Sequence, residues 1–202
     1  MRIVPVERKL VELAREQLDL DPAERLQVLL GDSWPACRDG LRAAVAVGEP
    51  GVLVGPVAAA LVGAPQRPGE GRVDLLVAPE DLERVAERLF QADAHPDGFE
   101  LAPGGEERRE RWHAGRGQLT VRSVAAGVED VTGLHARARP VMLNQRQNHV
   151  GIVRVPPVED LANIAERSPW SEDAIYRAGL RAVLASGRYS SRKPAEQHLQ
   201  LA

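Results

Sequence analysis

The chain has 202 residues, of which 44% are hydrophobic and 27% are charged. This length suits one large domain, and this composition excludes an intrinsically disordered chain, which combines low hydrophobicity with high net charge. A formal net charge of -3 excludes a general attraction to nucleic acid, and aromatic residues at 3% leave few platforms on which bases could stack.

The first 48 residues predict a helical extension. Leucines at helical spacing over residues 6–48 favour three short amphipathic helices. Asp21 and Pro22 suit the start of one helix, as N-cap and first helical residue, and Gly31 suits its end. We interpret this segment as a support for the domain or as a dimerisation arm. A DNA-binding helix-turn-helix is disfavoured, because no helix carries an evident set of base-reading side chains.

Strands and helices alternate after residue 48. The predicted elements are a buried strand at 51–55, a helix at 56–62, a loop at 63–71, a strand at 72–77 and an amphipathic helix at 80–90. This order predicts an α/β domain over residues 49–186.

The later part of the chain is less regular. Residues 93–105 predict a loop around a strand at 99–102, and the charged stretch 106–116 predicts a solvated segment that begins an exposed helix. Further predictions are strands at 118–124 and 150–155, helices at 158–166 and 171–185, and a flexible tail at 187–202.

The segment from Val131 to Val158 contains no acidic residue between its ends, and it is rich in arginine, asparagine and glutamine. We interpret it as a solvated hairpin. The alternative is a surface that contacts nucleic-acid phosphates or an acidic protein partner, since these side chains suit such contacts.

One cysteine, Cys37, cannot form an intramolecular disulfide, and we expect it to be a small buried residue. No stretch is typical of a signal peptide or a membrane span, so we expect a cytoplasmic protein without membrane contact. The dispersed histidines match no metal-binding spacing.

A glycine turn between two strands, with an aspartate on the second, distinguishes residues 51–77. The first strand enters the turn at Leu53-Val54-Gly55, a helix ends at Gly63, a Pro-Gln-Arg loop reaches Arg67, and the second strand carries Asp74. This set resembles the minimal nucleotidyltransferase superfamily in its antitoxin-associated and abortive-infection forms. Residues 157–184 also resemble the final helical pair of that family. The resemblance implies a mixed sheet flanked by helices, with the N-terminal extension and C-terminal helices around it.

The resemblance also implies two divalent cations held by an Asp-x-Asp pair and by a third carboxylate on a later strand. Arg72 stands at the first aspartate position, only Asp74 remains of the pair, and Thr120 and Arg122 lie on the later strand. Exchanging an anionic ligand for a cation adds repulsion to lost coordination, worth several kcal/mol at about 4 Å. We therefore predict no metal site and no cofactor.

The same exchange predicts a site for a nucleotide or another phosphorylated ligand. Guanidinium groups of Arg67, Arg72 and Arg122 could replace the metals beside the Gly55 turn, because arginine binds phosphate with paired hydrogen bonds.

Three functions follow. The first is a catalytically degenerate nucleotidyltransferase-like protein that acts as a binding or regulatory module, as in a toxin–antitoxin system. The second is an active nucleotidyltransferase that modifies a protein, RNA or small molecule, with magnesium held by Asp74 and acids such as Glu70. The third is a structural partner that forms a homodimer through its N-terminal helices. Arginines around Asp74 would favour the first function, and other acids around Asp74 would favour the second.

Overall fold

The computed structural model describes residues 8–49, 51–66, 68, 71–103, 105, 107–125, 127–145, 148–170 and 173–188. The helices are α1 (Arg8–Asp19), α2 (Pro22–Leu30), α3 (Trp34–Val47), α4 (Gly55–Leu61), α5 (Leu82–Gln91), α6 (Val131–Arg137), α7 (Val158–Arg167) and α8 (Ala174–Ala185). The strands are β1 (Val52–Val54), β2 (Val73–Leu76), β3 (Ala94–Leu101), β4 (Arg108–Ala114), β5 (Gly117–Arg122), β6 (Arg139–Gln145) and β7 (Asn148–Val155). Short 3-10 helices at Gly31–Ser33 and Pro79–Asp81 precede α3 and α5.

The centre of the fold is a five-stranded sheet in the order β1-β2-β5-β4-β3. Strands β2 and β5 are parallel, and the other neighbours are antiparallel, so the sheet is mixed. Strands β6 and β7 form a separate antiparallel hairpin. The predicted α/β class with a mixed sheet and flanking helices is confirmed.

Helix α3 covers one face of the sheet. Val73 and Leu119 are neighbours in the β2–β5 ladder and belong to the same buried cluster as Leu41 of α3. The helix approaches closely because Gly40 has no side chain, and a Cβ there would lie 3.1 Å from the carbonyl oxygen of Gln118. Helix α5 packs beside α3 on this face. Aliphatic side chains at alternate strand positions therefore form this buried face, because successive side chains of a strand point to opposite faces of the sheet.

Helices α4, α7 and α8 contact one another on the opposite side of β2, where Asp74 meets the first residue of α4, Gly55. Helix α1 packs against α8. These helices enclose the face of β2 and β5 that carries charged side chains.

The three predicted N-terminal helices are present, and α2 begins and ends at the residues that the sequence indicates. The Asp21 carboxylate accepts a hydrogen bond from the backbone of Ala23 at 2.9 Å, Pro22 begins α2, and Gly31 follows its end at a φ of 53°. Because α3 forms a layer on the sheet, these helices share the core of the domain.

The prediction of a solvated helical stretch over residues 106–116 is wrong. Residues 108–114 of this segment form β4, in which Arg109 and Trp112 are buried. Pairing with β5 on one side and β3 on the other decides the conformation, because ladder hydrogen bonds and burial outweigh the charged composition. The strand predicted at 99–102 is present but longer, because β3 takes up most of the predicted loop at 93–105. The hairpin predicted within residues 131–158 is confirmed as β6–β7, and α6 precedes it.

Among the described residues, no helix is both long and apolar enough to cross a membrane.

Cys37 is buried, and burial raises the pKa of its thiol to about 12, so the reactive thiolate is scarce at neutral pH. Of the predicted tail, only Gly187 and Arg188 are among the described residues.

Candidate functional site: a buried cluster of arginines and carboxylates

Asp74 lies at the centre of the candidate site. It is fully buried on β2, and the register of the parallel pair places Thr120 of β5 directly beside it. Gly55, at a φ of +73°, closes the site from the other side, because a Cβ there would lie 3.1 Å from Cγ of Asp74. The glycine turn after β1 is therefore the position where the backbone of α4 approaches the carboxylate.

Arg72 binds the Asp74 carboxylate. Its Nε atom lies 3.0 Å from Oδ1, and its Nη2 atom donates to Oδ2 at 3.3 Å. The two residues are two positions apart, so their side chains emerge on one face of the strand. About a quarter of the Arg72 side chain is exposed, at 23%, whereas Asp74 has no exposed side-chain surface.

Two more arginines lie on the same face of the sheet, on the next two strands beyond β2, which are β5 and β4. Arg122 of β5 and Arg109 of β4 are opposite each other in the β4–β5 ladder, and both are fully buried. Arg122 donates from Nη2 to Oε2 of Glu107 at 2.9 Å, and its Nη1 lies 3.6 Å from Oδ2 of Asp173. Nη2 of Arg109 lies 3.5 Å from the same Asp173 oxygen. Asp173 thus joins the two arginines from the start of α8.

The connection between α7 and α8 covers this cluster. The Ser168 hydroxyl donates to Oδ2 of Asp173 at 2.5 Å, and the Trp170 indole donates from Nε1 to Oε2 of Glu107 at 2.8 Å. The guanidinium carbon of Arg109 lies 3.5 Å from the centroid of the Trp170 ring. A cation over an indole face is favourable, and the ring also excludes water from the charges.

We call this set the charge cluster: Arg72, Asp74, Glu107, Arg109, Arg122 and Asp173. Its three cations balance its three anions. Five of the six groups are buried, which is costly, and ion pairing offsets that cost only when the geometry is good and every charge is compensated. Buried ion pairs often add little to stability. Buried, mutually perturbed charges are frequent at functional sites, so we treat the charge cluster as a candidate functional site.

Burial and neighbouring charges compete in setting the protonation of the cluster. Burial raises the pKa of Asp173, although Arg122 and the Ser168 hydrogen bond lower it. Burial lowers the pKa of Arg109, and Arg122 lowers it further. Burial alone would also lower the pKa of Arg122, but Asp74, Asp173 and Glu107 together raise it. All three carboxylates of the cluster therefore stabilise the charged form of Arg122.

Burial, followed by the charges of Asp173 and Asp74, raises the pKa of the neighbouring Tyr176 hydroxyl. The phenol therefore stays protonated at neutral pH, and it cannot serve as an anionic ligand in this site.

These residues do not fit a pair of divalent cations. The Asp74 carboxylate is held by Arg72, and Arg122 stands on β5 where the resemblance implies a third carboxylate. A dication bound to Asp74 would lie close to the guanidinium groups of Arg72 and Arg122, and both would repel it. Among the residues that the structure describes, no group of three or more His, Cys, Asp or Glu side chains is arranged to hold a metal ion.

Gly55→Ala should test the contact between the turn and Asp74. A methyl group there would overlap Oδ2 of Asp74, and alanine would also be strained at a φ of +73°. We expect the free energy of unfolding to fall by roughly 2–4 kcal/mol, from strain and overpacking together. Gly105→Ala is the matched control, because Gly105 has a φ of +77° and nothing within 4 Å of its Cβ position. Equal losses in urea unfolding would show that the Asp74 contact contributes nothing.

Of the site residues predicted from sequence, the structure brings Gly55, Arg72, Asp74 and Arg122 together, while Arg67 lies outside the described residues. The sequence prediction did not include Glu107 and Arg109, which lie just before and on β4, or the α7–α8 connection, which contributes Ser168, Trp170 and Asp173. One available signal was the Gly115-Arg116-Gly117 turn between two runs of strand length, which is typical of a hairpin.

The chain was also compared with known proteins. A scan against protein-family models found no family that matches it. A search of curated proteins found no significant match.

Proposed function

We propose that this chain is a catalytically degenerate nucleotidyltransferase-like protein that acts by binding, as a regulatory module, rather than by nucleotidyl transfer. The observation that carries the proposal is the ion pair between the partly exposed Arg72 and the fully buried Asp74. The carboxylate that would bind a metal is neutralised by a cation of the chain itself.

The order of elements supports the resemblance on which the proposal depends. Strand β1 leads through Gly55 into α4, the chain returns through β2 with Asp74, and β5 lies parallel beside β2 with Arg122. The three positions that would carry carboxylates therefore share one face, and arginine occupies the first and the last of them. Fold similarity alone cannot assign an activity, so the altered residues carry the functional argument.

The cluster also indicates where a ligand would enter. Arg109, Arg122 and Asp173 are fully buried, whereas Arg72 is partly exposed. A nucleotide or another phosphorylated ligand would therefore meet Arg72 first, just before the start of β2. Its guanidinium group could exchange the Asp74 carboxylate for a phosphate oxygen, because both are acceptors of paired N–H donors. A protein partner at the same position, as in a toxin–antitoxin pair, would use the same group.

The test is calorimetric titration of the full chain with ATP, GTP, CTP and UTP, with and without magnesium or manganese, beside a labelled-nucleotide transfer assay. We expect no label transfer and no metal-dependent binding. Any binding that occurs should be metal-independent, and Arg72→Gln should weaken it by about tenfold, the loss expected for one charge-assisted contact.

Asp74→Asn is the control for catalysis. Label transfer by the natural chain that Asp74→Asn abolishes would contradict the proposal and establish the active-enzyme alternative. Arg84→Gln controls for nonspecific loss of positive charge, since Arg84 pairs with Asp81 on the surface and is half exposed.

A further inference from the structure

A cavity of about 160 Å³ lies between helix α3, the five-stranded sheet and the β6–β7 hairpin. Leu53 of β1 and Leu75 of β2 are partners in the strand ladder and form its buried side, together with Ala44 of α3. Ile152 of β7 also lines the cavity, and this residue is exposed by 54%. The cavity therefore has an apolar interior and an opening to solvent beside the hairpin.

The cavity and the charge cluster lie on opposite faces of the sheet. Asp74 and Leu75 are consecutive residues of β2, and consecutive side chains of a strand point to opposite faces. Asp74 belongs to the charge cluster, whereas Leu75 lines the cavity. An inference about the cavity is therefore independent of the proposed function.

The size and the apolar interior of the cavity limit what it can hold. An apolar cavity of about 150 Å³ stays dry and accommodates one benzene molecule, whereas drug-sized ligands occupy roughly 300–1,000 Å³. Water is a poor occupant, because the side chains of Leu53, Leu75 and Ala44 offer it no hydrogen-bond partners. The group that fits is a compact apolar one, about the size of a phenyl ring.

Arg154 adds a cation to the lining of the cavity. Its Nε and Nη2 atoms donate to Oε1 of Glu49 at 3.1 and 2.6 Å, and Glu49 lines the cavity as well. Two adjacent N–H donors are the arrangement with which arginine recognises a carboxylate. The ion pair therefore shows that a carboxylate fits at the edge of the cavity, next to the apolar interior.

Glu49 is a weak competitor for that position. Its side chain is 68% exposed, whereas that of Arg154 is 33% exposed, and exposed ion pairs contribute little because water screens them. Glu49 also lies outside the regular elements, between the end of α3 and the start of β1. When Glu49 leaves Arg154, its carboxylate is solvated by water. A ligand carboxylate in its place would bring an apolar group that the cavity removes from water, which favours the exchange.

We propose that this cavity binds a small monocarboxylate with a compact apolar body, and that the ligand carboxylate replaces that of Glu49 on Arg154. Benzoate has this chemistry, since its single carboxylate is joined directly to a ring of the size that the cavity accommodates. For so small a ligand we expect a dissociation constant on the order of 0.1–1 mM.

The experiment is titration of the full chain with benzoate, followed by nuclear magnetic resonance of the backbone amides. Benzoate should bind about tenfold more tightly than benzamide, which has nearly the same shape, because only the carboxylate forms charge-assisted hydrogen bonds on both oxygens. The amide resonances of Leu53, Leu75 and Val153 should shift during the titration, since these residues line the cavity.

Substitutions at the ion pair test the exchange. Arg154→Met should weaken benzoate binding by about tenfold or more, the loss expected for a paired charge-assisted contact. Glu49→Gln should strengthen binding by about twofold to fivefold, because it removes the competing carboxylate. Arg181→Met is the matched control and should leave binding unchanged, since Arg181 forms a similar exposed pair with Glu166.

Ala44→Leu tests where the apolar body lies. The larger side chain would occupy part of the cavity, so this variant should lose benzoate binding. Circular dichroism would establish that each variant is folded. If Ala44→Leu does not fold, Arg154→Met and Glu49→Gln still decide the question, because both residues lie at the surface.

Benzoate binding that Arg154→Met weakens and Glu49→Gln strengthens would support the proposal. A natural chain that does not bind benzoate would overturn it. Equal affinities for benzoate and benzamide would also overturn it, as would binding that Arg154→Met or a folded Ala44→Leu variant leaves unchanged, because the ligand would then lie elsewhere. None of these outcomes depends on whether the chain binds a nucleotide.

Discussion

Replacing Arg122 with methionine is expected to lower the free energy of unfolding by about 3–5 kcal/mol, the usual cost of removing one partner from a buried ion pair. Arg122 pairs with Glu107 and Asp173, and all three side chains are buried. Methionine has a similar length and no charge, so it leaves both carboxylates without their principal cation. Urea unfolding followed by circular dichroism measures the change, provided that the slope of the transition stays constant.

A second substitution separates the charge from the loss of packing. Glu107→Gln removes the anion next to Arg122, while its side-chain oxygen can still accept the Trp170 hydrogen bond. We expect the double variant to lose less stability than the sum of the two single variants, because it contains no unpaired charge at this position. Additive losses would show that the Arg122–Glu107 contact is not energetically coupled.

Arg181→Met is the matched control on the surface. Arg181 pairs with Glu166, and both side chains are exposed, so this change should cost no more than about 1 kcal/mol. If Arg122→Met costs as little as Arg181→Met, the charge cluster is not the buried, coupled network described above.

Gly117→Ala should disrupt the packing of α3 on the sheet. Gly117 begins β5 directly beneath α3, where a Cβ would overlap the carbonyl oxygen of Ala36 and lie 2.5 Å from the backbone nitrogen of Gly40. Both contacts are with backbone, which cannot rotate away, so the helix must move off the sheet. We expect a loss of roughly 3 kcal/mol in the free energy of unfolding, at the upper end for overpacking. Thermal and urea unfolding would both report it.

Gly179→Ala provides the comparison. A Cβ at Gly179 would also overlap another group, but that group is the end of the Gln66 side chain, which can rotate. Gly179 lies inside α8, where alanine is favoured over glycine by about 1 kcal/mol. We therefore expect little loss or a small gain. A Gly117 variant as stable as the Gly179 variant would contradict the close approach of α3 to the sheet.

Much of the secondary structure could be predicted because it depends on local patterns. Asp21 and Pro22 mark the start of α2, and the spacing of apolar residues identifies α5 and α7. The aliphatic runs that became β1 and β2 are also evident, since both strands are buried on both faces. These signals lie within a few residues of the structure that they specify.

Strand β4 could not be predicted in this way. Its sequence, Arg-Arg-Glu-Arg-Trp-His-Ala, contains charges that ordinarily face water. Arg109 is buried only because Asp173 and Trp170, more than sixty residues later, supply an anion and an aromatic face. A local pattern contains no information about partners so distant in the chain.

The sequence by itself determined an α/β domain, the glycine turn before α4, and the exchange of carboxylate for arginine at residues 72 and 122. Each of these is a property of residue type and spacing. Only the tertiary structure decided that Arg122 is neutralised and enclosed, because its compensating carboxylates, Glu107 and Asp173, come from the residues that immediately precede β4 and α8. Long-range pairing decided equally that β3 is an edge strand with both phenylalanines beside it, since an edge exists only in relation to the rest of the sheet.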